Sequence, residues 1–210
     1  MMTKALAFFG AFNPPTVAHL RLAEFALRET GREQVIFVPS KAVYIRDEQG
    51  KDFAYSDERR LTMLRFAAQS RPWMRVTGWE MTRPRQPRTY ETLCHLRSEE
   101  GVEASLLLGS DKLPELEHGW QNVEDIAKEF GIVCLPRGED RCGEMIEKDA
   151  YLRSLAPYIT VLHTPDETNT VSSTAVRRRV AEIQIIKKEI ETLVPEEILP
   201  LLLQEQEETP

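Results

Sequence analysis

The 210-residue sequence predicts an α/β fold, a doubly wound, Rossmann-like parallel sheet. Two observations carry that prediction: short apolar runs recur along the chain, and amphipathic stretches separate them. The runs are Ala5–Phe9, Val35–Val38, Met74–Thr77, Ala104–Leu108, Ile132–Leu135 and Ile159–Leu162, each short enough to be a buried parallel strand. Between them, Leu20–Glu29, Asp57–Ser70, Tyr90–Glu99 and Val123–Phe130 carry apolar residues at helical spacing, as with Leu61, Leu64 and Ala68. Sheets of this kind bind ligands at the carboxyl ends of their strands.

Two stretches resist assignment. Ser40 to Ser56 reads as a long polar connection leaving the carboxyl end of the second strand, a length that favours a functional role. Arg83-Pro84-Arg85-Gln86-Pro87-Arg88 cannot be helical and reads as an exposed basic loop. The chain length suits one domain, 1–210, with a core over 1–165. A small C-terminal helical extension would follow over 166–210, ending in an acidic tail at Gln204–Thr209.

Composition bounds the function. A hydrophobic fraction of 41% and a charged fraction of 29% are ordinary for a globular protein. A net charge of −7 argues against broad nucleic-acid binding, while leaving room for a local basic pocket around a small anion. No apolar run approaches the roughly 18 residues of a membrane span, and Met1-Met2-Thr3-Lys4 leads straight into a strand, without a cleavable signal. Cys94, Cys134 and Cys142 are odd in number and lack paired metal spacing, the pattern of reduced thiols in a cytoplasmic protein. Self-association is left open.

Gly10-Ala11-Phe12-Asn13-Pro14-Pro15-Thr16-Val17-Ala18-His19 follows the first strand and opens a helix. The turn lets backbone approach a ligand and sets one imidazole and one hydroxyl beside a helix N-terminus, where free amides favour an anion. The residues match neither a Walker loop nor Gly-x-Gly-x-x-Gly, so the leading reading is a histidine placed on nucleotide phosphates. A second signal is Thr170-Val171-Ser172-Ser173-Thr174-Ala175-Val176-Arg177. Ser172 or Ser173 is suited to cap a helix, and Arg177 falls one turn on from Ser173, so hydroxyls, amides and a guanidinium converge. A third is Leu108-Gly109-Ser110-Asp111, which sets a carboxylate at the sheet rim in a position suited to a ribose hydroxyl. Trp120 follows the flexible His118-Gly119 and could stack on a planar ring. Trp73 and Trp79 fall six apart around the third strand, on one side of its pleat, with Trp79 nearer the carboxyl end and so the better ligand candidate. His95, His118 and His163 share no metal-ligand spacing.

These motifs, in this order, resemble the nicotinamide/nicotinate mononucleotide adenylyltransferases. Shorter matches at Arg60-Leu61-x-Met63-Leu64, Trp79-Glu80, Glu91-Thr92-Leu93 and Leu193-Val194-Pro195 extend the resemblance over the whole chain. The resemblance implies transfer of AMP from ATP to NMN or its nicotinate analogue, giving NAD or deamido-NAD and pyrophosphate, with Mg²⁺ held mainly by substrate phosphates. It implies that His19 and Thr16 contact the ATP phosphates, and that Ser172, Ser173, Thr174 and Arg177 hold the phosphates that leave. Gly10, Ala11, Phe12, Gly109 and Asp111 would complete the ATP site, and Asn13, Trp79, Thr92 and Trp120 the mononucleotide site. A phosphate-gripping cation from the loop after the second strand is also implied, with Lys51 ahead of Lys41 and Arg46. Three departures stand out: Thr16 replaces the first histidine of His-x-Gly-His, as in eukaryotic-type enzymes; Arg88 replaces a tyrosine common in acid-specific bacterial enzymes; and Ala18 replaces the motif glycine. The second argues against strict preference for the acid form. A relative acting on another phosphate acceptor, or a non-catalytic nucleotide-binding module, are the alternatives.

Overall fold

A computed structural model describes residues 2–136, 141–163, 173–181 and 193–203. Six strands are present: β1 (Thr3–Gly10), β2 (Gln34–Pro39), β3 (Met74–Val76), β4 (Val102–Gly109), β5 (Ile132–Leu135) and β6 (Ile159–Val161). They form one sheet in the order β3-β2-β1-β4-β5-β6, every neighbouring pair parallel. Strand order therefore reverses between β1 and β4, and a crevice opens there at the carboxyl ends.

The period of two along each strand sorts the core. On one face Leu6, Phe8, Val35, Phe37, Leu107 and Val133 pack together, and on the other Ala5, Ala7, Ile36, Val38, Leu106 and Ile132. Helices α1 (Val17–Thr30) and α3 (Asp57–Gln69) cover the first face through Leu22, Ala26, Met63 and Leu64. Helices α4 (Thr89–Ser98) and α6 (Val123–Phe130) cover the second through Leu93, Leu96, Ile126 and Phe130. Each helix has its stops in the sequence. Thr16 caps α1 and Gly31 ends it in the left-handed region at φ 60°.

Two expectations change. The connection from Ser40 to Ser56 is not all loop: it holds α2 (Ala42–Asp47), whose Ala42 and Ile45 are buried, before Ser56 caps α3. The C-terminal extension packs on the core. Within it α9 (Ser173–Ala181) contributes Val176 and Val180 to the first face, and α10 (Leu199–Leu203) contributes Leu199 and Leu202, beside Val194 and Ile198. Short helices α5 (Leu116–Gly119), α7 (Cys142–Lys148) and α8 (Ala150–Leu155) complete the chain between β4 and β6. Finally, β3 ends at Val76, so the parity that put Trp79 on Trp73's side does not extend to it; Trp79 already has helical backbone, φ −56° and ψ −45°. Among the described residues, no helix is long and apolar enough to cross a membrane.

Candidate active site

The β1–α1 turn is built around buried side chains. The Phe12 ring packs edge-on against Phe8 and lies 5.2 Å from Phe37, so it turns back under the strand end. A Cβ on Gly10 would sit 3.0 Å from that ring, which is why glycine ends the strand. Asn13 is 1% exposed; its amide nitrogen donates to the Phe53 carbonyl and its oxygen accepts from Tyr55 N–H, both at 2.9 Å. The loop carrying Lys51 is thereby tied to the turn. Thr16 is fully buried, and its backbone N–H donates to His19 Nδ1 at 3.0 Å, with its hydroxyl 2.8 Å from the same nitrogen. A backbone N–H can only donate, so Nδ1 is an acceptor and the ring proton resides on Nε2.

Remote segments fix the turn further. Arg60, fully buried on α3, donates to the carbonyls of Ala11 (2.8 Å) and Tyr55 (3.1 Å) and to the Asp57 carboxylate (2.6 Å). From α9, the Ser173 hydroxyl donates to Pro14 O at 2.8 Å and Arg177 Nη1 to Asn13 O at 2.5 Å. The Arg177 guanidinium also reaches Thr174 Oγ1 at 3.1 Å. Segments 159 and 164 residues apart in sequence thus share one wall.

That wall borders a cleft of about 590 Å³. Gly10, Ala11, Phe12, Asn13 and His19 line it from the first turn, with Ser173, Thr174 and Arg177 beside them. Gly109, Asp111 and Trp120 line it from the β4 side, and Lys51 from the long connection. Of the three cations considered for that connection, only Lys51 lies in the cleft lining: Lys41 Nζ donates to the Met81 and Arg83 carbonyls, and Arg46 is exposed on α2. Lys51 is exposed at the mouth, yet desolvation, followed by the positive charges of Arg177 and Lys112, holds its ammonium below the ordinary lysine range. Burial likewise lowers the Arg177 guanidinium.

Several expected contacts are absent from the lining. Thr16 lies beneath it and holds His19 instead of facing a ligand. Trp79 stacks on His95, centroids 4.4 Å apart and planes 13° from parallel, with Arg83 on its ring. Thr92 is fully buried and donates to Glu80 Oε1 at 2.7 Å. Asn13 lines the cleft, but its side chain is spent on Phe53 and Tyr55, which leaves its backbone at the surface of the site. Ser173 is the first residue of α9 and its hydroxyl docks on Pro14 instead of capping. Ser172 lies outside the described residues.

Other residues enter the cleft unannounced. Glu80, 2% exposed, borders it and accepts from Thr92 and from the Gln86 amide. Burial pushes the Glu80 carboxyl up to about 7, against those two hydrogen bonds and with a smaller push from Glu91. Gln86 Oε1 in turn accepts from Lys41 N–H at 2.8 Å, so one amide joins the Arg83–Arg88 loop to the start of α2. Arg88 and Thr89 line the same wall, Tyr44 and Lys112 other parts of the cleft. The sequence signal for Glu80 was its place in the Trp79-Glu80 match, which says nothing of its burial. Among the described residues, no group of three or more His, Cys, Asp or Glu could hold a metal ion.

Comparison with known proteins follows the same lines. The model of the cytidylyltransferase-like family matches residues 7–179. A probable nicotinate-nucleotide adenylyltransferase of Dehalococcoides mccartyi is 30% identical over 90% of this chain and 89% of its own. Nicotinamide/nicotinic acid mononucleotide adenylyltransferase 2 of Caenorhabditis elegans is 29% identical over 95% of each chain. Among solved structures, Plasmodium falciparum nicotinic acid mononucleotide adenylyltransferase complexed with NaAD shares the fold, with a TM-score of 0.69 at 16% identity, over 96% of this chain and 93% of that one.

Proposed function

We infer the mode of action from one premise: the chain belongs to the cytidylyltransferase-like family and, within it, to the nicotinamide/nicotinate mononucleotide adenylyltransferases. It is a nucleotidyltransferase of NAD biosynthesis, moving the adenylyl group of ATP onto NMN or its nicotinate analogue with release of pyrophosphate. The observation that supports an assignment of roles is the meeting of His19, Lys51, Thr174 and Arg177 around one cleft at the β1/β4 reversal.

The mononucleotide phosphate is itself the nucleophile, so the protein has no covalent step to perform. Its work is to hold two polyanions in line and offset the charge that develops at the α-phosphorus. His19 donates from Nε2 to the α-phosphate oxygens, the tautomer that its Nδ1 contacts select. Arg177, Thr174, Lys51 and the α9 amides hold the β,γ-phosphates that depart. Asp111 and Gly109 take the adenosine end, and Trp120 covers the pyridine ring. Thr16, Asn13 and Ser173 act through the residues and carbonyls they position.

Adenylyltransferases acting on ATP generally use a divalent cation, and we assign Mg²⁺ here. The substrate phosphates would hold it, in a cleft that the exposed Asp111 carboxylate also lines. When bound, it neutralises phosphate charge. Three cysteines, none of them in a disulfide, support a cytoplasmic setting. The test is incubation with ATP, Mg²⁺ and each mononucleotide in turn, following dinucleotide and pyrophosphate. Equimolar appearance of both is expected; release of pyrophosphate without dinucleotide, or turnover only with a phosphate acceptor lacking a pyridine, overturns the reading.

A further inference from the structure

We propose that Arg88 is a specificity residue that selects the pyridine-3-carboxylate over the carboxamide of the mononucleotide. The proposal rests on the adenylyl-transfer reading above. It reverses the inference first drawn from this departure, that an arginine here argues against preference for the acid.

The cleft's cations fall into two groups. Lys51, Arg177 and Lys112 lie close enough that the charges of Arg177 and Lys112 depress Lys51, and they gather at the phosphate end with His19. Arg88 is not of that group. It also borders a side recess of about 390 Å³, which it shares with Glu48, Arg85, Gln86, Glu91, Gln121 and Asn122 and with none of the phosphate-end residues. Gln121 neighbours Trp120 in the chain, so this end of the cleft is the aromatic one.

The Arg88 guanidinium forms no ion pair among the described residues, and the acid placed to take it is already engaged. Arg85 donates to both Glu91 oxygens, at 2.8 and 2.6 Å, and Arg88's own backbone N–H donates to Glu91 Oε2 at 2.6 Å. These contacts hold the Glu91 carboxyl down at about 2. The other acid on this wall, Glu80, is buried and gives one oxygen to Thr92 and the other to Gln86. Glu48 also borders the recess, yet no ion pair joins it to Arg88 among the described residues, so an exposed positive charge lies beside the aromatic end with only the longer-range pull of Glu91 on it. With the phosphates held elsewhere, the group that differs between the two mononucleotides is the ring substituent. A carboxylate accepts two parallel bonds from a guanidinium and cancels its charge, whereas a carboxamide accepts through one neutral oxygen and sets its NH₂ against a donor.

The experiment compares kcat/KM for nicotinate and nicotinamide mononucleotides in the wild type, Arg88→Gln and Arg85→Ala. Arg88→Gln should lower the acid-to-amide ratio about 10- to 100-fold, the scale of a lost charge-assisted pair, almost wholly through the acid substrate. Arg85→Ala releases Glu91 to compete for Arg88 and should lower the same ratio about two- to fivefold. Equal losses for both substrates in Arg88→Gln, or an unchanged ratio, overturn the proposal, as does a wild type that uses only the amide. Far-ultraviolet circular dichroism and the ATP KM of each variant separate misfolding from altered selection. A wild type inactive with both mononucleotides sinks the reading of the reaction instead, and so is distinguishable.

Discussion

The backbone N–H of Thr16 donates to His19 Nδ1 at 3.0 Å, and this contact decides which edge of the imidazole can give a proton to a ligand. Had Nδ1 carried the proton, the ring would meet that N–H with a second donor. The cap residue of α1 thus sets the protonation pattern of the residue three positions on.

His19→Ala should lower kcat about 10²- to 10³-fold, the cost of losing one donor aimed at developing charge. Thr16→Val removes the hydroxyl but keeps the N–H, and should cost about tenfold. In the double variant the Thr16 change should add nothing to the His19 loss, because it acts through that ring. Steady-state kcat at saturating substrates measures all three, and an additive double variant would give Thr16 its own phosphate contact.

Arg60→Met should destabilise the protein by about 3–5 kcal/mol, since it strips the carbonyls of Ala11 and Tyr55 of a buried donor and the half-buried Asp57 of its charge partner. Arg60→Lys should rescue little, because a single ammonium cannot reach the three acceptors that the planar fork spans. Urea unfolding midpoints check both.

Glu80 makes stability depend on pH. Its carboxyl lies near 4.5 in the unfolded chain and at about 7 in the fold, so the native state binds the extra proton between those values. Stability from this group is fully present below pH 4.5, falls as pH rises to about 7, and is flat beyond, a loss of about 3 kcal/mol. Glu80→Gln should remove that slope. Thermal unfolding of wild type and variant from pH 5 to pH 8 reads the difference; parallel curves would contradict the assignment.

Lys51 should report triphosphate binding as proton uptake. In the free protein, burial and the charges of Arg177 and Lys112 depress its pKa; a bound polyanion reverses the charge balance and raises it. In alkaline buffer, ATP binding should therefore take up protons, seen by calorimetry in buffers of different ionisation enthalpy. Lys51→Met should abolish the uptake and lower kcat/KM for ATP about tenfold.

How much of this was legible in the sequence depends on how local each signal is. The strand, turn and helix around His19 are contiguous, so the residues themselves carry their geometry. The pairing of that turn with Arg177 was legible because a doubly wound sheet delivers both to one edge. The pleat argument does not place Trp79, because it holds only inside a strand, and β3 stops at Val76, three residues short. The depth of Thr92 was hidden for a related reason: a helix position gives a face, not the depth, and this hydroxyl faces a buried acid. Glu80 was missed since nothing local tells a buried carboxyl from a surface one. Arg60 hid in the same way, a cation on an amphipathic helix that points inward.

The groups that bind the turn to the rest of the molecule accept through peptide oxygens: Ala11, Asn13, Pro14, Phe53 and Tyr55 all receive their bonds on the main chain. Any amino acid supplies that oxygen. Divergence can therefore replace Ala11, Pro14, Phe53 and Tyr55 freely, so long as the few side chains at Asn13, Arg60, Ser173 and Arg177 stay in place, and a lineage can drift far while its catalytic scaffold keeps its shape.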